Sequence, residues 1–337
     1  HDIHAHSLST VVPQLFEIAA VSDPLHDRCD RAAKELGCAA YTDHRKLLAH
    51  PGLDLVVNAS PSHLHIPITL EALDAGYNVL CEKPVARRAK DVDRIVAKAR
   101  RKRRLLAAYQ QSRFAPYFLK VREIIDSGAL GRIVLVKISF SGFARRWDWQ
   151  TLQDRGGGSL LNTGPHPMDQ ALQLIGTDAM PRVFCLMDRA VTWGDAEDHV
   201  KVVLSRPGRP AVDLEISSCN PYNLFTYQVS GTQGGLTGTM DHLEWKWFDP
   251  AQAPQRHLVE EPMPDLAYCT ETLPWQTASW DAEKGGLNNF DTMAKAFYEN
   301  LHAALTTGPP LAVPLEHLRL QIAATAESSR QPGQPRT

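Results

Sequence analysis

The chain has 337 residues, enough for about two domains at roughly 100 to 200 residues each, which excludes a disulfide-stapled miniprotein. Hydrophobic residues make up 43% and charged residues 22%, with 21 Gly and 23 Pro mostly scattered, so neither wholesale disorder nor a fibrous repeat fits. Lys and Arg number 36 against 38 Asp and Glu, and the formal net charge of −2 supplies no long-range field for nucleic acid or an anionic membrane.

Along the first hundred residues, short apolar runs alternate with helical patterns. Residues 16–21 read as a strand ending at Ser22-Asp23-Pro24. Leu25, Cys29, Ala32, Ala33 and Leu36 then share one helical face, closed by Gly37. Residues 53–59 read as a buried strand, 66–75 as a helix ended by Gly76, and 77–81 as the next strand. Val92, Ile95, Val96 and Ala99 mark a helix leading into a strand over 105–109, and Phe118, Val121, Ile124 and Ile125 a helix ending at Gly128. This is the pattern of βαβ units on a parallel sheet. The basic run from Lys98 to Arg104 falls at the end of a predicted helix, where cations complement the dipole and stay solvated.

Beyond residue 130 the period changes to alternation: Val134, Val136, Ile138 and Phe140 point one way, Lys137, Ser139 and Ser141 the other. Further strands are predicted over 183–187, 200–204, 212–218, 225–230 and 243–248, as expected of a mostly antiparallel sheet in an α+β domain. Residues 249–286 read as a long irregular excursion. Phe290, Met293, Ala294, Phe297 and Leu301 define an amphipathic helix, and Leu315, Leu318 and Ile322 a last one. The predicted division is a dinucleotide-binding domain over 1–111 and an α+β domain with a large open sheet over 112–337.

No apolar run approaches the roughly 18 residues of a membrane helix, and no basic-then-apolar leader opens the chain. The six cysteines lack Cys-x-x-Cys spacing, as expected of reduced thiols in a cytoplasmic protein. His63, His65 and the group His1, His4, His6 have no Cys or carboxylate at ligand spacing, so no metal site is expected.

Four segments carry chemistry. Asp23, directly after a buried strand, either accepts hydrogen bonds from a ribose or simply starts a turn. The strand over 53–59 leads into Ser60-Pro61-Ser62-His63-Leu64-His65, and the next strand ends in Cys81-Glu82-Lys83-Pro84. Ligands bind beyond the carboxyl ends of parallel strands, so these two segments are placed to line one crevice. Lys83, between Glu and a backbone-stiffening Pro, is aimed there unless it is a solvated surface charge. In Gly156-Gly157-Gly158 through Asp169, Asn162 and His166 share a face if the backbone is helical, although Pro165 and Pro167 work against that. His166 is open to a structural reading or to one as a base.

In this order the segments resemble the Gfo/Idh/MocA oxidoreductase family, named for glucose-fructose oxidoreductase and inositol dehydrogenase. The resemblance covers residues 4–333. It implies a Rossmann domain for NAD or NADP and an α+β domain with substrate on one face of its sheet and an oligomer contact on the other. It also places the family's Glu-Lys-Pro lysine on Lys83 and its catalytic histidine on His166. Ser60, Pro61, His65, Glu82 and Lys83 become cofactor-binding candidates beside Asp23. Asn162 stands where inositol-type relatives carry Asp, and it keeps only hydrogen-bonding capacity. A further departure is that the glycine fingerprint expected about 20 residues before Asp23 is missing, since the first glycine is Gly37. The expectation is that the first strand and its glycine turn are lost from the start of the chain.

The function implied is hydride transfer between nicotinamide, preferably NAD because Asp23 opposes a 2′-phosphate, and a secondary alcohol of a sugar, cyclitol or related polyol. Lys83, His166 and Asn162 would be catalytic, with Arg113, Trp149, Asn162 and Asp169 contacting substrate. The alternatives are an NAD-dependent glycosidase using transient redox chemistry and a non-catalytic sugar- or nucleotide-binding regulator. A homodimer or homotetramer is expected, with neither nucleic acid nor membrane as partner.

Overall fold

The structure, a computed structural model, describes residues 2–261, 269–283 and 286–331. His1 and parts of the excursion expected over 249–286 lie outside the described residues. Helix α1 (Asp2–His6) widens into a π-type turn over Ser7–Val11. There follow β1 (Ala20–Ser22), α2 (His26–Leu36), β2 (Ala39–Tyr41), α3 (His44–Leu48), β3 (Leu55–Asn58), α4 (His65–Asp74), β4 (Asn78–Cys81), α5 (Ala89–Lys102) and β5 (Leu106–Ala108). β1 and β2 form a parallel pair, and β3, β4 and β5 a separate parallel sheet in that order.

The strands β3 to β5 are apolar on both sides because both sides are covered. Val79 and Cys81 pack with Leu73 of α4 and Val92 and Ile95 of α5. Leu80 and Ala107 meet Val12 and the later residues Phe297, Tyr298 and Leu301 on the opposite face. Lys98 of the basic run is held 2.6 Å from the Asp74 carboxylate, and Lys102 donates to the Asp74 carbonyl.

The remainder comprises α6 (Pro116–Asp126), β6 (Ile133–Ser141), α7 (Ser159–Asn162), α8 (Pro165–Ile175), β7 (Arg182–Asp188), β8 (His199–Ser205), β9 (Ala211–Ser217), β10 (Tyr227–Gly231), β11 (Gly234–Gly238), β12 (His242–Trp247), β13 (Gln276–Asp281), α9 (Asn289–Thr306) and α10 (Leu315–Ser328). Among the described residues the strands form one eight-stranded sheet in the order β13-β12-β11-β10-β6-β9-β8-β7. Only the central pair β6 and β9 runs parallel. Val136 and Ile138 of β6, Val200 and Val202 of β8 and Val212 and Leu214 of β9 form a core with Phe118 and Val121 of α6 and Met168 and Leu172 of α8. Each such fully buried side chain contributes roughly 1.5–3 kcal/mol. On the other face Lys201 pairs with Asp213 at 2.7 Å, the wet side expected from the alternation.

Helices α9 and α10 return to the first domain: Phe297, Tyr298 and Leu301 cover one face of β3–β5, Leu318 and Ile322 the other. Several elements differ from the sequence expectation. The first strand begins at Ala20 rather than at residue 16, and Phe16 packs against Tyr298 at 5.6 Å instead. β2, β11 and α3 were not anticipated, and β13 lies inside the supposed irregular excursion, paired along its whole length with β12. No helix among the described residues is long and apolar enough to cross a membrane.

Candidate active site

The carboxyl ends of β3 and β4 build one wall of a crevice. Asn58, the last residue of β3, donates through Nδ2 to the His65 carbonyl and to Thr69 Oγ1, both at 3.0 Å. Its Oδ1 accepts from the Ser60 hydroxyl at 2.7 Å. His65 is 1% exposed, and its ring lies between two carbonyl oxygens, Ser60 O and Pro84 O, each at 2.8 Å. Burial lowers its pKa despite these acceptors, and a neutral ring has one N–H, which it gives to one carbonyl at a time. His65 therefore ties the Ser60-Pro61 turn to the Lys83-Pro84 loop and is itself out of a cofactor's reach. Pro61 and His63 form the exposed lip.

The Lys83-Pro84 peptide bond is cis. Lys83 Nζ donates to the backbone carbonyl of Asn162 at 2.8 Å. Burial lowers the ammonium's pKa, the Glu82 carboxylate opposes this, and Arg146 adds to it. Glu82 faces inward: Oε1 meets His4 Nε2 at 3.0 Å, and Oε2 accepts the Lys83 N–H at 2.9 Å. Burial works against its charge, but His4 and Lys83 outweigh that and hold the carboxyl below its ordinary value. His4 Nδ1 lies 2.6 Å from the Tyr298 hydroxyl.

The opposite wall is α7 and α8. Pro165 and Pro167 do not disrupt α8 because they occupy its first turn, where a backbone N–H has no helical partner anyway. The face shared by Asn162 and His166 is broken, however, since Thr163 and Gly164 form a turn between the two helices. Gln110 Nε2 donates to the Pro165 carbonyl at 2.7 Å and pins the start of α8. His166 Nδ1 is 3.1 Å from Ser112 Oγ. Its ring is part-exposed to the crevice, yet burial, with the Lys83 charge adding to it, pushes its pKa down to about 3. Glu197 Oε1 accepts the Leu160 N–H at 3.0 Å in α7, and burial raises its pKa.

Lys83, Asn162 and His166 thus come together, Asn162 through its main chain. Arg113 and Asp169 take a different role from the substrate contact expected of them. Their side chains are 7% and 3% exposed and bind each other, with Arg113 Nε 3.0 Å from Asp169 Oδ2. Arg113 also donates to the Ala312 carbonyl at 2.9 Å, so the pair locks the 111–114 turn to α8 and the approach to α10. Asp23 stands just past β1, where Oδ1 accepts the Leu25 N–H at 2.9 Å and Oδ2 pairs with Arg28 at 3.2 Å. Trp149 is 42% exposed on the short turn Trp149–Thr151. Ser112, Gln110, His4, Tyr298 and Glu197 were not anticipated. His4 was visible only as one of several histidines, because its partners lie 78 and 294 residues away.

Residues 2–110 match the family model described as "Oxidoreductase family, NAD-binding Rossmann fold", and residues 118–237 match the "GFO/IDH/MocA C-terminal domain". The chain is 30% identical to trans-1,2-dihydrobenzene-1,2-diol dehydrogenase of Mus musculus, covering 67% of this chain and 68% of that protein. It is 28% identical to inositol 2-dehydrogenase 2 of Saccharopolyspora erythraea over 95% of each. Two oxidoreductases of Schizosaccharomyces pombe are each 31% identical, and the chain spans 55% and 50% of their lengths. The structure superposes on levoglucosan dehydrogenase, solved with NADH and levoglucosan, with a TM-score of 0.76 at 18% identity, covering 96% of this chain and 93% of that one, which is a likeness of fold. With both domain models matched in order and a crevice between them lined by Lys83 and His166, the chain belongs to the GFO/IDH/MocA family of oxidoreductases.

Proposed function

We propose that this protein transfers a hydride between a nicotinamide cofactor and a secondary alcohol of a sugar, cyclitol or related polyol. The observation that carries the reading is the meeting, at the carboxyl end of a parallel sheet, of a half-buried lysine ammonium held by the Asn162 carbonyl and an imidazole kept neutral at ordinary pH.

The donor set fits the two ends of a dinucleotide. Lys83 and His166 stand at the reacting end, and the Asp23 carboxylate past β1 suits ribose hydroxyls and disfavours a 2′-phosphate, which favours NAD over NADP. The glycine turn that would cradle the pyrophosphate is not among the residues before Gly37. When bound, the nicotinamide supplies or accepts the hydride. With Nδ1–H donating to Ser112 Oγ, His166 Nε2 keeps its lone pair for the substrate hydroxyl proton. The Lys83 ammonium, oriented by the Asn162 carbonyl, polarises the carbinol or carbonyl oxygen, and the Glu82 carboxylate favours its charged form against burial. The part-exposed Asn162 side chain is available to a substrate hydroxyl.

We read the outer face of the eight-stranded sheet, where Phe184 and Leu186 of β7 are 52% and 56% exposed, as a homo-oligomer surface. Cys29, Cys38, Cys81, Cys185 and Cys219 carry unbridged thiols, in keeping with a reducing cytoplasm.

The test is a panel of sugars and cyclitols with NAD and NADP, followed by NADH absorbance, in the parent chain and in Lys83→Ala and His166→Ala. Each variant is expected to lose about 10²- to 10⁴-fold in turnover, the usual cost of a proton-transfer group, while NADH affinity by fluorescence changes much less. Near-normal turnover in both variants sinks the assignment. Product release with no net NADH points to the glycosidase reading.

A further inference from the structure

The loop after β6 and the loop between β7 and β8 present an aromatic surface that the hydride chemistry leaves unused. Trp147 is 78% exposed and Trp193 59%, and their rings meet edge to face with centroids 6.2 Å apart. The Arg145 guanidinium lies 4.4 Å from the centre of the Trp193 ring, and among the described residues no carboxylate pairs with it. Trp149, at 42%, stands two residues beyond Trp147.

These tryptophans are not on loose chain. Asp198 is 2% exposed and accepts the backbone N–H groups of Ala190, Val191 and Thr192 at 2.7, 2.8 and 2.7 Å, which fixes the loop that presents Trp193. The Trp193 N–H donates to the Arg146 carbonyl at 2.9 Å, joining the two loops. A Cβ on Gly194 would stand 1.8 Å from the Thr151 carbonyl oxygen, so the backbones touch there. A buried carboxylate spent on three loop amides, beneath two exposed indoles, describes a surface held in shape for a ligand.

The same loops are continuous with the reacting centre. Gly157 and Gly158 donate to the Leu152 and Gln150 carbonyls, both at 2.8 Å, and Gly158 opens α7, whose last carbonyl holds Lys83. Arg146, next to Trp147, is close enough to Lys83 for its charge to act on the ammonium.

We propose that Trp147, Trp193 and Arg145 form a stacking subsite for a second ring of an extended carbohydrate, placing the substrate class among glycosides or oligosaccharides rather than single sugars. This rests on the crevice of Lys83 and His166 being the reacting site. The Trp147 ring and the face of Trp193 away from Arg145 suit the apolar C–H face of a pyranose, and the guanidinium, with no carboxylate partner among the described residues, offers donors to its hydroxyls. A purely apolar partner would leave that guanidinium unused.

The experiment compares maltose and cellobiose with D-glucose. In the parent chain, tryptophan emission is expected to respond to a disaccharide at lower concentration than to glucose, a readout that needs no hydride transfer and stands even if no sugar is oxidised. Trp147→Ala, Trp193→Ala and Arg145→Ala should each lower the disaccharide-to-glucose affinity ratio, by about tenfold for the tryptophans. Where turnover is measurable, the loss should fall on KM for the disaccharide rather than on kcat. An unchanged ratio in both tryptophan variants overturns the proposal, as does an emission insensitive to either disaccharide. A change in oligomeric state by sedimentation, with the ratio unchanged, reassigns the surface to a subunit contact.

Discussion

His166 and Lys83 are both easier to deprotonate than in water, with burial the leading cause in each, and this has a consequence for stability as well as for chemistry. The unfolded chain protonates His166 near its ordinary 6.5, the folded chain only near about 3. Between those values the unfolded state holds more protons, so the neutral ring's contribution is complete above pH 6.5 and is lost as pH falls toward 3. Urea melts at pH 7.5 and 5 should show a smaller drop in His166→Gln than in the parent, and an equal drop places the acid sensitivity elsewhere. Arg113 gives the contrasting case. Arg113→Ala leaves the Asp169 carboxylate buried without its partner, which is expected to cost about 3–5 kcal/mol in urea denaturation. A variant of normal stability but raised KM would return Arg113 to the substrate. The placement of Lys83 was legible because an apolar run marks the strand that ends before it, whereas His166 was singled out by the family resemblance and not by its local pattern. The closure of Arg113 on Asp169 was not legible, because nothing in either segment marks a pair 56 residues apart as buried.

At the level of elements, the triglycine is a strap. A Cβ on Gly157 would stand 2.2 Å from the Gln150 carbonyl oxygen and 2.8 Å from the Leu152 nitrogen, so only glycine lets the loop after β6 lie against the start of α7. Gly157→Ala is expected to cost about 1–3 kcal/mol through overpacking and to lower kcat/KM by loosening the segment that ends at the Asn162 carbonyl. A Tm and kcat/KM equal to the parent's would mean the loop is not held there. The run Gly156 to Gly158 was conspicuous in the sequence, but its partner was not, since a flexible stretch and a tightly packed one read alike. The same limit hid β11, whose Gly234-Gly235-Leu236-Thr237-Gly238 has little strand propensity and is held by pairing with β10 and β12. By contrast β6, β8 and β9 were plain from alternation, because one face of each is buried and the other wet.

For the whole molecule, the decisive feature is the divided parallel sheet. Among the described residues β1 pairs only with β2, and β3 pairs only with β4. Laid on the doubly wound order 3-2-1-4-5-6, β2, β1, β3, β4 and β5 fill five of the six places and leave β1 and β3 without a strand joining them. Val56 and Asn58 on β3 are 7% and 3% exposed, so the edge that lacks a neighbour is close to the core, where each unsatisfied backbone group costs about 1–3 kcal/mol. Unpaired strand edges also favour association between chains. An apolar strand followed by a Gly-x-Gly-x-x-Gly turn, joined ahead of His1, is therefore expected to raise the denaturation midpoint and tighten NADH binding together, because the strand pairs both edges and the turn brings backbone N–H groups to the pyrophosphate. The same addition with prolines at alternate strand positions cannot complete the ladder and should give neither gain. If the unmodified addition changes neither quantity while the parent is monodisperse and binds NADH at micromolar concentration, the gap is bridged in another way and the pyrophosphate is held by residues outside a glycine turn.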